Sequence, residues 1–248
     1  MKKIDDENRV IREELPLEGA RAFIAQRMTE SMNVYPQGSA FMKVDMTNLL
    51  ALKQALKEEG KKITFGDFFV KAVACALEEN MSLNGSRKDG KLFYYDSINI
   101  GMMASINGYL MEPVICDVDC KDVEAVSAEL ADMYANLRKG KLMRVNTMGA
   151  TFSVTNLGTY DCDGFTPLLS PPEGGIIGIG RTVKEVVVDE NDNMVIRPMS
   201  TLSITTDHGL VDGVAVMEFM RSLKKIVEHP KAYMYHTKEK NVVKNVVD

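Results

Sequence analysis

The chain has 248 residues, of which 45% are hydrophobic, and its formal net charge is −5. This composition is enough for a sizeable core, offers no basic surface to nucleic acid, and contains no apolar run near the roughly 18 residues that cross a bilayer. The N-terminus lacks the apolar segment of a secretory signal, and the four cysteines follow no metal-ligand spacing. We therefore expect a cytoplasmic protein with reduced thiols, no metal, and neither nucleic-acid nor membrane partners.

The first third of the chain predicts a charged arm followed by helices and one strand. Residues 1–18 are charged and predict an N-terminal arm, after which apolar residues three and four apart begin a helix near residue 20. Alternating side chains over 40–46 predict a strand. Thr47 is a candidate cap for a second helix, and Thr64 has capping-box spacing for a third, strongly apolar one.

The rest of the chain predicts a sheet with helices between its strands. Two-residue hairpin signals stand at 89–90 and 107–108, and a polar hairpin is expected at 189–193. An amphipathic helix is predicted over 122–139, and strands over 150–155, 174–180 and 202–207. The glycines of 174–180 fit no phosphate-binding motif and indicate close backbone packing. The pattern favours one domain with a mixed sheet covered by helices, an α/β fold of the α+β type.

A histidine stands where the last predicted strand ends. The alternation over 202–207 stops at His208, and an amphipathic helix begins after Gly213. A side chain at such a strand end is held by a rigid scaffold and can still reach a ligand. Taken alone, a histidine at a strand end is more often structural than catalytic.

Several stretches match one family in the same order along the chain. Residues 207–213 read Asp-His-Gly-Leu-Val-Asp-Gly, similar to a hallmark Asp-His-Arg-x-x-Asp-Gly, and residues 149–158 read Gly-Ala-Thr-Phe-Ser-Val-Thr-Asn-Leu-Gly, similar to Gly-Gly-Thr-Phe-Thr-Ile-Ser-Asn-Leu-Gly. Residues 21–31, 107–114 and 165–172 also match. The chain thus resembles the catalytic domain of the dihydrolipoamide acyltransferases, the core of 2-oxo acid dehydrogenase complexes, whose fold is that of chloramphenicol acetyltransferase. The resemblance implies that residues 19–230 form the catalytic domain.

The resemblance implies acyl transfer between dihydrolipoamide and coenzyme A, with coenzyme A as a substrate. Because the sequence shows no lipoyl domain, either it is part of a longer protein or the lipoyl group is carried on a separate chain. His208 would take the proton of the attacking thiol, since a free thiol with a pKa of about 8.5 is mostly protonated at neutral pH. The family's serine falls on Thr155, whose hydroxyl can donate to the oxyanion of the tetrahedral intermediate.

The remaining matched residues would support this site. Asp212 would fix the turn after the histidine by pairing with an arginine, for which Arg21 is the candidate, while Gly213 and Asn156 complete the two motifs. The resemblance further implies a homotrimer with its active site between subunits, and possible partnership with a lipoyl-carrier protein and dehydrogenase subunits.

Three departures from the family pattern leave alternatives open. Gly209 stands in place of the hallmark arginine, which removes a charge beside the base. We expect no lipoyl domain and no peripheral-subunit-binding domain, and residues 231–248 form a charged tail where relatives have a short apolar one. A trimer is expected, with assembly into a larger cage left open. The alternatives are a stand-alone coenzyme A-dependent acyltransferase with another acceptor, and a non-catalytic trimeric core.

Overall fold

The computed structural model of the chain describes residues 3–106 and 109–239. The strands of these residues, numbered in chain order, are β1 (Gln37–Asp45), β2 (Gly85–Lys88), β3 (Lys91–Tyr94), β4 (Ile100–Ile106), β5 (Tyr109–Met111), β6 (Val114–Ile115), β7 (Phe152–Asn156), β8 (Gly175–Val188) and β9 (Met194–Asp207). The longer helices are α1 (Gly19–Val34), α2 (Thr47–Glu58), α3 (Phe65–Glu79), α4 (Val123–Arg138) and α5 (Gly213–Glu228).

Within the described residues, seven strands form one sheet in the order β1-β9-β8-β7-β4-β5, with β6 also paired to β4. The β4–β7 and β7–β8 pairs are parallel, and the other pairs of this sheet are antiparallel. Strands β2 and β3 form a separate hairpin. The predicted fold class, a mixed sheet covered by helices, is confirmed.

One face of the sheet carries the main core. Helix α3 packs against α5, α4 and strands β4 and β7, and this enclosure explains why its apolar face extends around most of the helix. The rings of Phe152 in β7 and Phe219 in α5 lie 5.4 Å apart between their centroids. Each large aromatic side chain buried here contributes on the order of 2–3 kcal/mol to folding. This layer fixes the strands from which the candidate site projects.

The opposite face of the sheet is only partly covered within the chain. Here the Ser31 hydroxyl of α1 donates to the Leu169 carbonyl over 2.8 Å, and Leu169 packs with Tyr35 and Ile176. Phe23, which the sequence places on the apolar stripe of α1, is 61% exposed. The apolar stripe of α1 is therefore only partly covered by its own chain.

Local capping signals gave one correct and one wrong prediction. The Thr64 side chain accepts from the Asp67 backbone N–H, and the Asp67 carboxylate accepts from the Thr64 N–H, so the predicted capping box is confirmed. Thr47 does not cap α2. Instead Thr47 is already the first residue of the helix, and its backbone N–H and hydroxyl both donate to the Asp45 carboxylate, at 2.8 and 2.5 Å.

Two of the three predicted hairpin turns lie in the described residues, and both are confirmed. Asp89 and Gly90 join β2 to β3 with φ of 51° and 71°, as a tight turn between antiparallel strands requires. Residues 107–108 lie outside the described residues, although β4 and β5 on either side of them pair antiparallel. At 189–193 the Asp189 carboxylate accepts from two backbone N–H groups and closes the turn between β8 and β9.

The hairpin of β8 and β9 is the longest feature of the sheet. A Cβ added to Gly175 would lie 2.4 Å from the Phe152 ring, which confirms close packing in the glycine-rich stretch. The outer half of the hairpin extends past the end of β1 and, within the described parts of the chain, its two strands pair only with each other. Its exposed apolar side chains are Val186, Val188, Met194 and Ile196.

The two ends of the described chain differ in their packing. Residues 3–18 are mostly exposed and contain one isolated bridge, between Ile4 and Val10. Beyond residue 230, Met234 is fully buried, and its carbonyl accepts from the Val123 N–H over 2.9 Å. The boundaries at residues 18 and 230 stay predictions. Among the described residues, no helix combines the length and hydropathy needed to cross a membrane.

Candidate active site

His208 lies on a tight turn between β9 and α5. Its backbone N–H donates to the Pro36 carbonyl over 2.8 Å, and the N–H groups of Leu210 and Val211 both donate to the Asp207 carbonyl. Leu210 and Val211 are buried, whereas the His208 side chain is exposed. The turn is therefore anchored on both sides of a histidine whose imidazole remains open to a ligand.

Asp212 ends this turn and begins α5. One carboxylate oxygen accepts from the N–H groups of Val214 and Ala215, at 3.0 and 3.1 Å, which is an N-cap. Gly213 follows as the first residue of the helix and is exposed. Within the described residues, Arg21 and Asp212 form no ion pair, so the predicted pairing is not made inside one chain. The Asp212 carboxylate instead accepts hydrogen bonds from the backbone N–H groups at the start of α5.

An ion pair that the sequence did not reveal lies directly beside the histidine. The Asp207 side chain is 1% exposed, and both of its oxygens accept from Arg87, at 2.8 Å from Nε and 3.3 Å from Nη2. Arg87 belongs to β2, 120 positions away. The sequence offered no signal for this contact, since Arg87 stands in an unremarkable polar hairpin.

Thr155 and Asn156 end β7 at the wall of a cavity of about 670 Å³. Thr155 is half-buried, and its hydroxyl makes no hydrogen bond to the described residues. The Asn156 side chain accepts from the Gly158 N–H over 2.9 Å and so shapes the turn after the strand. The cavity is also lined by apolar and cationic side chains, among them Phe65, Met102, Tyr134, Lys53 and Arg138.

Lys53 gives this cavity a distinctive cation. Its ammonium lies 3.9 Å from the centroid of the Phe65 ring. Burial lowers the pKa of Lys53, and the nearby Asp67 carboxylate partly opposes the shift. An amine held over an aromatic ring and partly removed from water is well placed to bind an anionic group.

The two predicted catalytic side chains lie far apart within one chain. Thr155 stands opposite Gly178 of β8, which stands opposite Ser203 of β9. His208 follows Ser203 by five residues, or about 17 Å of strand, and two strand spacings add about 10 Å across the sheet. The fold thus separates His208 from Thr155 by roughly 20 Å and does not bring them to one substrate within a single copy.

A pair of carboxyl groups, Glu173 buried and Glu112 partly buried, also lies near β7. The Ser153 hydroxyl is within hydrogen-bond distance of Glu112, at 2.5 Å, and of Glu173. Ser170 donates to the other oxygen of Glu112 over 2.9 Å and accepts from Arg27. Burial, together with the charge of Glu112, raises the pKa of Glu173 well above its ordinary value. No sequence signal joins these residues, which come from four separate segments.

The same fold occurs in solved acyltransferase cores. The cubic core of the pyruvate dehydrogenase multienzyme complex superposes with a TM-score of 0.85 at 27% identity, covering 94% of this chain and 98% of that chain. A dihydrolipoamide acetyltransferase from Azotobacter vinelandii, whose structure addresses the catalytic roles of one serine, one histidine and one asparagine, also gives a TM-score of 0.85. It is 26% identical, with coverage of 94% and 98%.

The sequence identifies the family. The model of the 2-oxoacid dehydrogenases acyltransferase (catalytic domain) family matches residues 10–235, and the chain belongs to this family. The lipoamide acyltransferase component of the branched-chain alpha-keto acid dehydrogenase complex of Bacillus subtilis is 31% identical over 220 residues, covering 87% of this chain and 52% of the relative. The chain spans about half the length of the curated relatives it matches.

Proposed function

We propose that the chain is a coenzyme A-dependent acyltransferase that moves an acyl group between coenzyme A and dihydrolipoamide. The observation that carries the proposal is the His208 turn: an exposed imidazole fixed at the end of a buried strand, in a chain that belongs to an acyltransferase family. An exposed, rigidly held imidazole can accept a proton near neutral pH, which a thiol nucleophile requires.

The proposed reaction uses His208 first as a base and then as an acid. The imidazole takes the proton of the attacking thiol, and the thiolate adds to the thioester carbonyl. The tetrahedral intermediate carries a negative oxygen, which accepts a hydrogen bond from the Thr155 hydroxyl. Collapse of the intermediate expels the second thiolate, which takes the proton back from His208. One donor to such an oxyanion contributes about 3–4 kcal/mol to lowering the barrier.

The cavity beside Thr155 is the proposed binding site for coenzyme A. Lys53 and Arg138 supply positive charge for its phosphate groups, while Met102, Phe65 and neighbouring side chains offer an apolar wall to the rest of the molecule. The unsatisfied Thr155 hydroxyl lies on the wall of this cavity, where the thiol end of coenzyme A would react.

The acetyltransferase from Azotobacter vinelandii supports the choice of site residues. In that chain the histidine and the asparagine under study are four residues apart, which is the spacing of His208 and Asp212. We propose that His208, Thr155 and Asp212 take the roles of the histidine, serine and asparagine, with Asn156 and Gly213 shaping the two turns. Arg21 is exposed on α1, and we propose it only as a residue that a neighbouring copy can contact.

A complete site requires two copies of the chain. The separation of roughly 20 Å between His208 and Thr155 supports a homotrimer in which one subunit supplies the base and the next supplies the hydroxyl. The lipoyl group would arrive on a separate lipoyl domain, and dehydrogenase subunits are the expected partners, in the cytoplasm. The named relatives serve pyruvate and branched-chain complexes, so the acyl chain is not specified.

His208→Ala tests the proposal, with His229→Ala as a matched control because His229 is also exposed. Acetyl transfer from acetyl-coenzyme A to dihydrolipoamide should fall at least about a thousandfold in the first variant and stay unchanged in the second, with the oligomer intact in both. Near-full activity of His208→Ala would sink the assigned mechanism. Transfer by the wild type to a different thiol or amine, but not to dihydrolipoamide, would favour another acceptor. Failure to bind coenzyme A would favour a non-catalytic core.

A further inference from the structure

The carboxylate that precedes His208 is buried and, among the residues that the structure describes, pairs with one cation. The Asp207 side chain is 1% exposed, and a carboxylate removed from water to this extent must be paired and hydrogen-bonded. Arg87 donates to both of its oxygens, and the Gly209 N–H donates to Oδ1 over 2.9 Å. Asp207 therefore connects the backbone of Gly209, the residue after His208, to the guanidinium of Arg87.

The same guanidinium also holds the segment on which the histidine rests. Arg87 Nη2 donates to the Val34 carbonyl over 3.0 Å, and its Cζ lies 5.3 Å from the centroid of the Tyr35 ring. The next residue, Pro36, accepts the hydrogen bond from the His208 backbone. The Arg87 side chain thus contacts both the connection between α1 and β1 and the end of β9. His208 lies between these two segments.

Gly209 makes the room for this arrangement. A Cβ built at Gly209 would lie 2.7 Å from Arg87 Nε, 3.2 Å from Arg87 Cδ and 3.1 Å from Asp207 Oδ1. Any side chain at position 209 therefore competes with Arg87 for the same space. The position where the hallmark has an arginine is, in this chain, a glycine with the guanidinium of another residue packed against it.

We propose that Arg87 is a positioning residue for His208 and supplies in space the arginine that the hallmark carries at position 209. This inference rests on the proposed function insofar as His208 is the base. It predicts that an arginine at position 209 compensates for the loss of the arginine at position 87. A guanidinium from β2 with glycine at position 209, or one from position 209 with no guanidinium from β2, satisfies Asp207, whereas losing both leaves the Asp207 carboxylate unpaired.

The test is a swap with four proteins: the wild type, Arg87→Leu, Gly209→Arg and the double variant. Arg87→Leu should lower kcat by about 10- to 100-fold, because a small displacement of a catalytic group is enough for such a loss, while KM for coenzyme A changes less than about threefold. Adding Gly209→Arg to Arg87→Leu should recover at least tenfold in kcat, since coupled neighbours depart from additivity. Lys88→Leu, which removes the adjacent exposed cation, is the matched control and should leave kcat unchanged.

A second readout separates this inference from the proposed function. The chain has three histidines, so side-chain NMR of histidine-labelled protein can assign His208 by comparison with His208→Ala. The His208 signal should shift or broaden in Arg87→Leu, return toward its wild-type position in the double variant, and stay unchanged in Lys88→Leu. This signature does not depend on turnover.

Two results would overturn the positioning role. One is an Arg87→Leu protein that keeps the wild-type His208 signal and, where the wild type is active, its kcat within about twofold. The other is a folded double variant no better than Arg87→Leu in both readouts. If the wild type transfers no acyl group to dihydrolipoamide, the proposed function fails, and the NMR comparison alone decides the role of Arg87.

Discussion

Glu173 is a buried carboxyl group that shares the Ser153 hydroxyl with Glu112. The Ser153 hydroxyl contacts one oxygen of Glu173 and one of Glu112, but it has a single hydrogen to donate. Both contacts are hydrogen bonds only if one carboxyl carries its own proton. Glu173 is 3% exposed, and its pKa is raised by burial and by the Glu112 charge, so it is the residue that holds the proton.

This proton gives the stability a definite pH dependence. The folded state binds a proton that the unfolded state releases above about pH 4.5, so the stabilising contribution is complete below that pH and is lost as the pH rises toward the folded-state pKa. The slope reaches about 1.4 kcal/mol per pH unit for one proton. Glu173→Gln, whose amide stays neutral and can still donate, should remove this decline and be more stable than the wild type at neutral pH.

Urea unfolding at fixed protein concentration over a series of pH values would measure the effect. Glu190→Gln, at the exposed tip of the β8–β9 hairpin, is the control and should follow the wild-type curve. Parallel curves for the wild type and Glu173→Gln would show that the proton is not held at Glu173.

The cap of α5 joins the stability of this helix to the position of His208, the proposed base. Asp212→Ala removes an acceptor for two backbone N–H groups and should cost about 1 kcal/mol of unfolding free energy, whereas Asp212→Asn keeps a capping oxygen. Because the cap also closes the turn that carries His208, Asp212→Ala should lower kcat as well. Denaturant unfolding and steady-state kinetics measure the two effects.

Asp122→Ala provides the matched comparison for this prediction. Asp122 caps α4 by accepting from the Ala125 N–H over 2.8 Å, far along the chain from the histidine. It should lose similar stability and keep its kcat. Equal loss of activity in Asp122→Ala and Asp212→Ala would mean that the Asp212 effect is general destabilisation.

Most elements could be predicted because their signals act over a few residues. The hairpin dipeptide at 89–90, the capping box at Thr64 and the apolar stripe of α5 each depend on neighbours within one or two turns. The cap of α2 was assigned wrongly because the helix already begins at Thr47, which donates to Asp45 two residues earlier. His208 could be found because its motif is contiguous.

The contacts that organise the site could not be predicted, because they join residues distant in sequence. Arg87 and Asp207 are 120 positions apart, and Ser170 and Glu112 are 58 apart. Their pairing is decided by strand order and by the space at Gly209, neither of which periodicity or spacing encodes. An arginine in a polar hairpin is expected from the sequence to be a solvated surface residue. The fold instead places Arg87 against the buried Asp207 carboxylate.

At the scale of the whole molecule, the single chain leaves apolar surface uncovered. Several large apolar side chains are more than half exposed: Phe23, Phe41, and, on the outer part of the β8–β9 hairpin, Val186, Val188, Met194 and Ile196. Apolar patches of this kind mark interaction surfaces. They agree with a trimer in which a neighbouring subunit covers part of the sheet and completes the site.

Mixed trimers test the shared site directly. His208→Ala and Thr155→Val each remove one half of the proposed site, and valine keeps the shape of threonine without its hydroxyl. Each variant alone should be strongly impaired, by about a hundredfold or more. When the two are co-expressed in equal amounts, a site is intact wherever an unchanged His208 meets an unchanged Thr155, so about a quarter of wild-type activity should return in a cyclic assembly.

The recovery must depend on assembly within one oligomer. Mixing the two purified variants under conditions where subunits do not exchange should restore nothing, and this is the control. If the base and the hydroxyl instead served the same active site from one chain, every mixed trimer would carry only damaged sites. Co-expressed protein would then be no more active than the average of the two variants, and a site shared between subunits would be excluded.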